Sequence, residues 1–272
     1  MIEVDNKEFL VFFEKDIVKN FYVCDNIANA GRDGYGIKNI KFFTDDGRPS
    51  DSYVSLCENV WSELTVSFFT TDFNLLEDAF REVLKTFKNY SVVRFGVNAL
   101  DFFNMDEFKQ YFNITASYET EYGVFASLSS DTIPQISYPS QIEIKIQDKL
   151  KNSAYAEFSD KKWDGLASQI KYGNDNDLLF LLFEGEQLCG YLFANNTYKN
   201  IYDISNVFVS KKKRGNGYGR YLTVFFADYC YKNGFIPHYG TAVSSYSEKV
   251  ALSSGFEEIS RTHYASVEVK HN

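Results

Sequence analysis

Six consecutive residues, Arg214, Gly215, Asn216, Gly217, Tyr218 and Gly219, set a guanidinium and three glycines directly before a segment with helical apolar spacing. The chemistry this suits is anion binding. Glycines allow backbone N–H groups to approach a ligand closely and to take the dihedrals of a tight turn. The amides of a first helical turn, with the helix dipole behind them, attract phosphate or pyrophosphate. Arg214 and Arg220 add charge-assisted donors, whereas Lys211 to Lys213 read individually as a solvated basic loop. The stretch lacks both the GxGxxG spacing of a dinucleotide fingerprint and the Gly-Lys-Ser/Thr of a P-loop.

Two elements must position this turn. Ile204, Val207, Phe208 and Val209 predict a buried strand before it, and Leu222, Phe225, Phe226, Tyr229 and Cys230 predict a helix after it, stopped by Asn233 and Gly234. Alternation along the strand places Asp203, Ser205, Val207 and Val209 on one face. Asp203 then has two readings, a proton-handling carboxylate or a solvated strand end. His238, beside Pro237, is either a hydrogen-bonded structural residue or a group titrating near neutral pH.

Composition narrows the classes. A chain of 272 residues, 44% apolar and 18% aromatic, suits two folded domains. The formal net charge of -9 argues against a general nucleic-acid binder and favours cationic partners, protonated amines among them. Cys24, Cys57, Cys189 and Cys230 form no CxxC pair and read as reduced core thiols, and His238, His263 and His271 have no metal-ligand spacing, so no metal is expected. The N-terminus lacks signal-peptide character, and the apolar run Leu178 to Phe183 is too short to span a bilayer. The expectation is a cytoplasmic protein with no membrane partner, monomeric or homodimeric.

Along the chain, residues 8 to 23 predict a helix, 26 to 51 mainly turns and loop with a short strand at Ile40 to Phe43, and Leu76 to Phe87 an amphipathic helix. SVVRFGVN predicts a strand, Leu100 to Phe112 a helix and Ala116 to Leu128 a strand. Phe68, Phe69, Phe102 and Phe103 look exposed. Residues 129 to 140 read as a linker, which sets domains at 1–133 and 134–272. The second begins with an alternating strand at Gln141 to Gln147, a helix near Trp163 to Ile170 and a hairpin across Glu184, Gly185 and Glu186. After the turn and its helix, Phe235 to Val243 predict a strand, Ser245 and Glu248 a capping box, Gly255 a helix stop, and residues 256 to 269 a strand pair.

This order and these motifs make the stretch from about residue 140 to 272 resemble the GNAT superfamily of acyl-CoA-dependent N-acyltransferases. Arg214 to Gly219 match its cofactor motif, and KNGF and SSGF close the two following helices. Pro237 and Ser247 match one branch, in which Tyr239 stands for a Trp and Ser244 for an Asn. The resemblance implies an α/β (α+β) fold, a mixed sheet flanked by helices. The N-terminal α/β domain either covers the acceptor cleft or is a degenerate GNAT-like copy.

It further implies acetyl-CoA as donor, with the amides of Gly215, Asn216, Gly217, Tyr218 and Gly219 around the pyrophosphate. The side chains of Arg214 and Arg220 add charge, backbone groups at Val207, Phe208 and Val209 pair with pantetheine, and Ser244 and Ser247 complete the cofactor set. Direct attack of a neutral primary amine, most simply of a small molecule, needs a base, an oxyanion donor and an acid. Asp203 stands where several relatives carry a glutamate, with Glu184, Glu186 or water as substitutes for the base. Ala251 occupies the place of the usual acid tyrosine, leaving Tyr246, Tyr239 or solvent. The other function class is a non-catalytic acetyl-CoA-binding sensor.

Overall fold

The computed structural model describes residues 1–33, 35–70, 73–86, 89–90, 92–97, 113–127, 129–147 and 163–270. Their contacts divide the chain into two units, 1–121 with 262–272, and 122–261. A single cut at 133/134 does not describe this division. The last strand of the sequence returns to the first unit, and residues 129–140 are packed within the second. Ile133 joins its core, and the ring of Tyr138 lies 5.3 Å from Tyr221 and 6.4 Å from Phe225.

The first unit contains strands β1 (Ile2–Val4), β2 (Ile37–Thr44), β3 (Tyr53–Asn59), β4 (Glu63–Phe69) and β5 (Val92–Val97), with helices α1 (Asn6–Phe13), α2 (Phe21–Asn29) and α3 (Phe73–Thr86). Its sixth strand is the far end of β12 (Glu257–Lys270), which pairs antiparallel with β5 from Ala265↔Val97 to Val269↔Val93. Leu75, Leu76, Ala79, Phe80 and Val83 form the apolar stripe of α3, which buries against Val54, Leu64, Val66, Phe68 and Phe95. Aromatic rings join α1 to the strands, Phe9 stacking on Phe42 at 4.6 Å.

Several sequence expectations change here. The 8–23 segment is two helices with a 3₁₀ turn at Glu14–Asp16 between them, and α2 and β2 occupy much of the region expected as loop. Phe68 is buried beneath α3, and Phe69 stacks on Tyr53 at 4.7 Å, its partner in the β3–β4 ladder. The helix expected over 100–112, with Phe102 and Phe103, lies outside the described residues.

The second unit contains β7 (Ile142–Gln147), α4 (Asp164–Tyr172), β8 (Leu178–Glu184), β9 (Gln187–Tyr198), β10 (Ile201–Val209), α5 (Tyr218–Lys232), β11 (Ile236–Ala242) and α6 (Ser245–Ser253). The end of β6 (Asn113–Ala126) pairs antiparallel with β11. All six residues from Leu178 to Phe183 are buried, since β8 is flanked by β7 and β9 and covered on both faces. One face packs on α5 through Leu222, Phe226 and Cys230, and the other on α4 through Trp163, Leu166 and Ile170.

Neighbouring strands run β1-β2-β3-β4-β5-β12 in one unit and β7-β8-β9-β10-β11-β6 in the other. Each is an antiparallel run of four strands, then a helical crossover, a parallel fifth strand, and an antiparallel sixth strand that comes from the end of the other half of the sequence. The two halves thus repeat one layout. The strand pair expected over 256–269 is the single long strand β12.

Gly255, at φ +87°, ends α6 where a Cβ would overlap the carbonyl oxygen of Thr132. Gly234, at φ +77°, ends α5 with nothing within 4 Å of a Cβ. Gly234→Ala should cost about 1 kcal/mol of left-handed strain, and Gly255→Ala about 2 to 4 kcal/mol because steric overlap adds to it. Denaturant unfolding of the two variants checks this, and equal losses would show that residues 129–133 are not packed against this turn.

Candidate functional site

Helix α5 begins without a side-chain cap. Its N-cap is Gly217, at φ +77°, preceded by Gly215 at φ +82°, and both are exposed, as is Asn216. A Ser or Asp cap would occupy first-turn amides that glycine leaves to an incoming anion. Gly219 sits where a Cβ would be 3.5 Å from Val250 and 3.9 Å from Val207, so the first turn of α5 lies against both α6 and β10. Arg214 donates Nε to Val209 O at 3.0 Å with its guanidinium 5.9 Å from the Phe208 ring, and Asn216 Nδ2 donates to Lys213 O at 3.1 Å. Arg220 Nε donates to Ser253 O at 2.8 Å, closing the C-terminal end of α6.

In front of this turn the sheet divides. β10 pairs with β9 along nearly its whole length, from Ile201 to Val209, but with β11 only through Ile201↔Ile236, Tyr202↔Pro237 and Asp203↔His238. Two irregularities follow at once. Ser205 is the extra residue of a bulge against β9, and Gly240 that of a bulge in β11 against β6. Bulges bend and twist a strand, so they divert β10 and β11 from each other beyond Asp203. The side of β10 from Ile204 to Val209 that faces away from β9 therefore has no β11 ladder, and it leads towards the glycine turn.

The bulge corrects one expectation. Val207 and Val209 pack with Tyr202 and Ile204 against α5, while Phe208 packs in the other core with Trp163. Asp203, between Tyr202 and Ile204, does not share the face of Val207 and Val209, because the extra residue shifts the alternation by one.

At the fork itself lies a buried polar pair. Asp203 is 7% exposed and His238 fully buried, with Asp203 Oδ1 2.7 Å from His238 Nδ1. Asp203 is therefore not a solvated strand end. No local signal in the sequence links the two residues, because only the parallel register of β10 and β11 brings positions 35 apart in sequence into contact.

The remaining candidates are divided in their placement. The N-cap of α6 is Ser244 rather than Ser245, with Ser244 Oγ accepting from Ser247 N at 3.2 Å, so Ser245 and Glu248 form no capping box. Ser247 Oγ lies 2.8 Å from Tyr239 OH, tying α6 to β11, and burial pushes the Tyr239 phenol above its usual range. Tyr246 is 81% exposed on the first turn of α6. Glu184 is bound to Lys213, so it is engaged at the turn rather than at the fork. Glu186 is exposed in the β8–β9 turn.

No group of three or more His, Cys, Asp and Glu among the described residues is arranged to hold a metal, and no described helix is long and apolar enough to cross a membrane.

Residues 145–252 match the family described as acetyltransferase (GNAT) family. The fold of the whole chain is similar to that of a Drosophila protein, at 16% identity over 97% of each chain with a TM-score of 0.59. A GCN5-related N-acetyltransferase from Sphaerobacter thermophilus is similar at 12% identity over 100% of this chain and 96% of its own, TM-score 0.59. A tandem GNAT protein from the clavulanic acid biosynthesis pathway is similar at 11% identity over 98% and 97%, TM-score 0.57. No curated protein matches the sequence. The family and the fold support acyl transfer as the general class of reaction.

If Asp203 and His238 depend on each other, the substitutions His238→Leu and Asp203→Leu should be strongly non-additive. Each alone should cost about 2 to 4 kcal/mol by stranding a buried polar partner, and the double variant clearly less than their sum. Denaturant titrations of the four proteins give the coupling, and simple additivity would dissolve the pair.

Proposed function

We propose that the unit spanning 122–261 binds acetyl-CoA and transfers its acetyl group to a primary amine of a small molecule. The observation that carries this reading is the parting of β10 from β11 after Asp203, directly before the Gly215–Gly219 turn. The pyrophosphate is held by the amides of Gly215, Asn216, Gly217, Tyr218 and Gly219, with charge from Arg214 and Arg220. Pantetheine pairs with the open side of Val207, Phe208 and Val209. Ser244 and Ser247 act on the cofactor through the start of α6, whose cap and attachment to β11 they make.

The amine nitrogen attacks the thioester carbonyl carbon, and the carbonyl oxygen takes the developing negative charge. A backbone N–H at Phe208 or Val209 donates to that oxyanion. Asp203, fixed by His238, accepts the proton lost from the nitrogen. The C–S bond then breaks, and the coenzyme A thiolate takes a proton from Tyr246 or from solvent. Exposure of Tyr246 suits a proton donor in exchange with water, and the acidic balance of the chain favours a cationic acceptor.

The first unit repeats the layout without the opening. Its parallel pair β4/β5 is continuous over six positions, Glu63↔Val92 to Phe68↔Val97, and the joining sequence Thr70, Thr71, Asp72 has no glycine and one carboxylate. One donor per chain is therefore expected. Calorimetry should give one coenzyme A per chain, with binding lost in Gly217→Asp, whose carboxylate falls beside the pyrophosphate. Unchanged affinity in that variant would remove the turn from the site. In a thiol-release assay over an amine panel, Asp203→Asn should reduce kcat/KM by about 100-fold. Coenzyme A binding with no turnover of any amine would favour the sensor reading, which the buried Ala251 in place of a tyrosine recommends.

A further inference from the structure

The bulge at Ser205 also decides which side chains of β10 stand together. In a regular strand, positions 203 and 206 lie on opposite faces. Here Tyr202, Ile204, Val207 and Val209 pack on the α5 side, so the extra residue leaves Asp203 and Asn206 on the same, opposite face. Asn206 stands across from Phe193 and Phe208 across from Tyr191, both aromatic residues of the core that includes α4.

Asn206 is held in place through its nitrogen. Nδ2 donates to the Tyr191 hydroxyl at 3.2 Å. Tyr191 is buried, stacked on Phe208 at 5.6 Å and 6.2 Å from the Trp163 ring. Helix α4 closes over the hydroxyl, since a Cβ at Gly165 would lie 3.0 Å from it. Burial pushes the Tyr191 phenol up to about 12, so this anchor stays neutral. Among the described residues, Asn206 Oδ1 accepts no hydrogen bond. The side chain is partly exposed, on the stretch of β10 that has no β11 ladder. Ser205 beside it is exposed as well, but its hydroxyl donates back to Phe193 O at 3.4 Å.

Along the strand, Asn206 comes three positions after Asp203 and two or three before Phe208 and Val209. Under the acetyl-transfer reading, Asp203 removes a proton from the nitrogen while an N–H of Phe208 or Val209 holds the carbonyl oxygen. The nitrogen must then lie between these groups, where Asn206 offers a fixed oxygen.

We infer that Asn206 is a specificity-determining residue, whose Oδ1 accepts the second hydrogen of the attacking nitrogen and so selects primary over secondary amines. This rests on the acetyl-transfer reading. A primary amine that has attacked the thioester carries two hydrogens on nitrogen. One passes as a proton to Asp203, and the other stays in the product as the amide N–H. Oδ1 accepts the one that stays, and the bond strengthens as positive charge develops on nitrogen. A secondary amine has a single hydrogen at that point, which the base removes, leaving Oδ1 without a partner.

The test assays the wild-type chain, Asn206→Leu, Asn206→Asp and Tyr191→Phe with primary amines and the mono-N-methyl counterpart of each. Leucine matches asparagine in size but has no acceptor, aspartate keeps the oxygen, and phenylalanine removes only the anchoring hydroxyl. For a primary amine that the wild type acetylates, Asn206→Leu should lower kcat/KM by roughly 10- to 100-fold and change that of the N-methyl counterpart by less than about threefold. Asn206→Asp should keep the preference for the primary amine, and Tyr191→Phe should lose roughly three- to tenfold of it. Calorimetry should give unchanged coenzyme A affinity in all three variants. Equal losses for both kinds of amine, or an unchanged ratio in Asn206→Leu, overturn the inference and leave acetyl transfer standing. Should Asn206→Leu fail to fold, an unchanged ratio in Tyr191→Phe overturns it by itself. Wild-type protein that binds coenzyme A and acetylates no amine overturns the transfer reading and this inference with it.

Discussion

The parting of β10 from β11 is the constraint around which the second unit is built. A parallel ladder is ordinarily continued, since each buried peptide group left unpaired costs free energy. Here the ladder stops after three positions, and the structure compensates on each side. β9 keeps pairing with β10 to Val209, β6 keeps pairing with β11 to Ala242, and the two bulges turn the strands apart rather than leaving them facing each other unbonded. The Asp203–His238 pair sits at the last shared rung and ties the strands where they are about to separate. The same topological position in the first unit is closed by a six-position ladder, which shows that the topology permits an opening without imposing one.

The glycine turn depends on its neighbours for its shape. Its own sequence supplies accessible amides and positive-φ geometry, at the expense of rigidity. Stiffness is supplied from outside by Val209 O on Arg214, by α6 against Gly219, and by Glu184 on Lys213. The Glu184 carboxylate beside the turn is not a bare charge, because it is engaged by a cation. Lys213 provides that cation.

The repeated layout explains why the two halves look unrelated as sequences. What repeats is the order of strands and crossovers, with the last strand of each half entering the sheet of the other unit. Such an arrangement is specified by ladder register and core packing, which many residue combinations satisfy. The contact-based division accordingly lies at 121/122 with a returning C-terminal strand, and the proline-bearing 129–140 segment, polar in composition, is anchored by Ile133, Tyr138 and the Thr132–Gly255 contact.

Local interactions made part of this protein legible from residue order alone. The strand–turn–helix at 201–232, the amphipathic α3 and the β8–β9 hairpin are each encoded within about a dozen neighbouring residues, through periodicity, glycine dihedrals and turn chemistry. The GNAT-like turn was readable for that reason. Other features had no local signal. Ser205 shifts the alternation of β10 only because β9 offers one residue too few, and Phe68 is buried because α3 packs on its face of the sheet. Asp203 meets His238 35 positions away, and Glu184 meets Lys213 29 positions away. Those pairings are consequences of which strands lie side by side and in what register, a property of the assembled sheet that no short window of sequence contains.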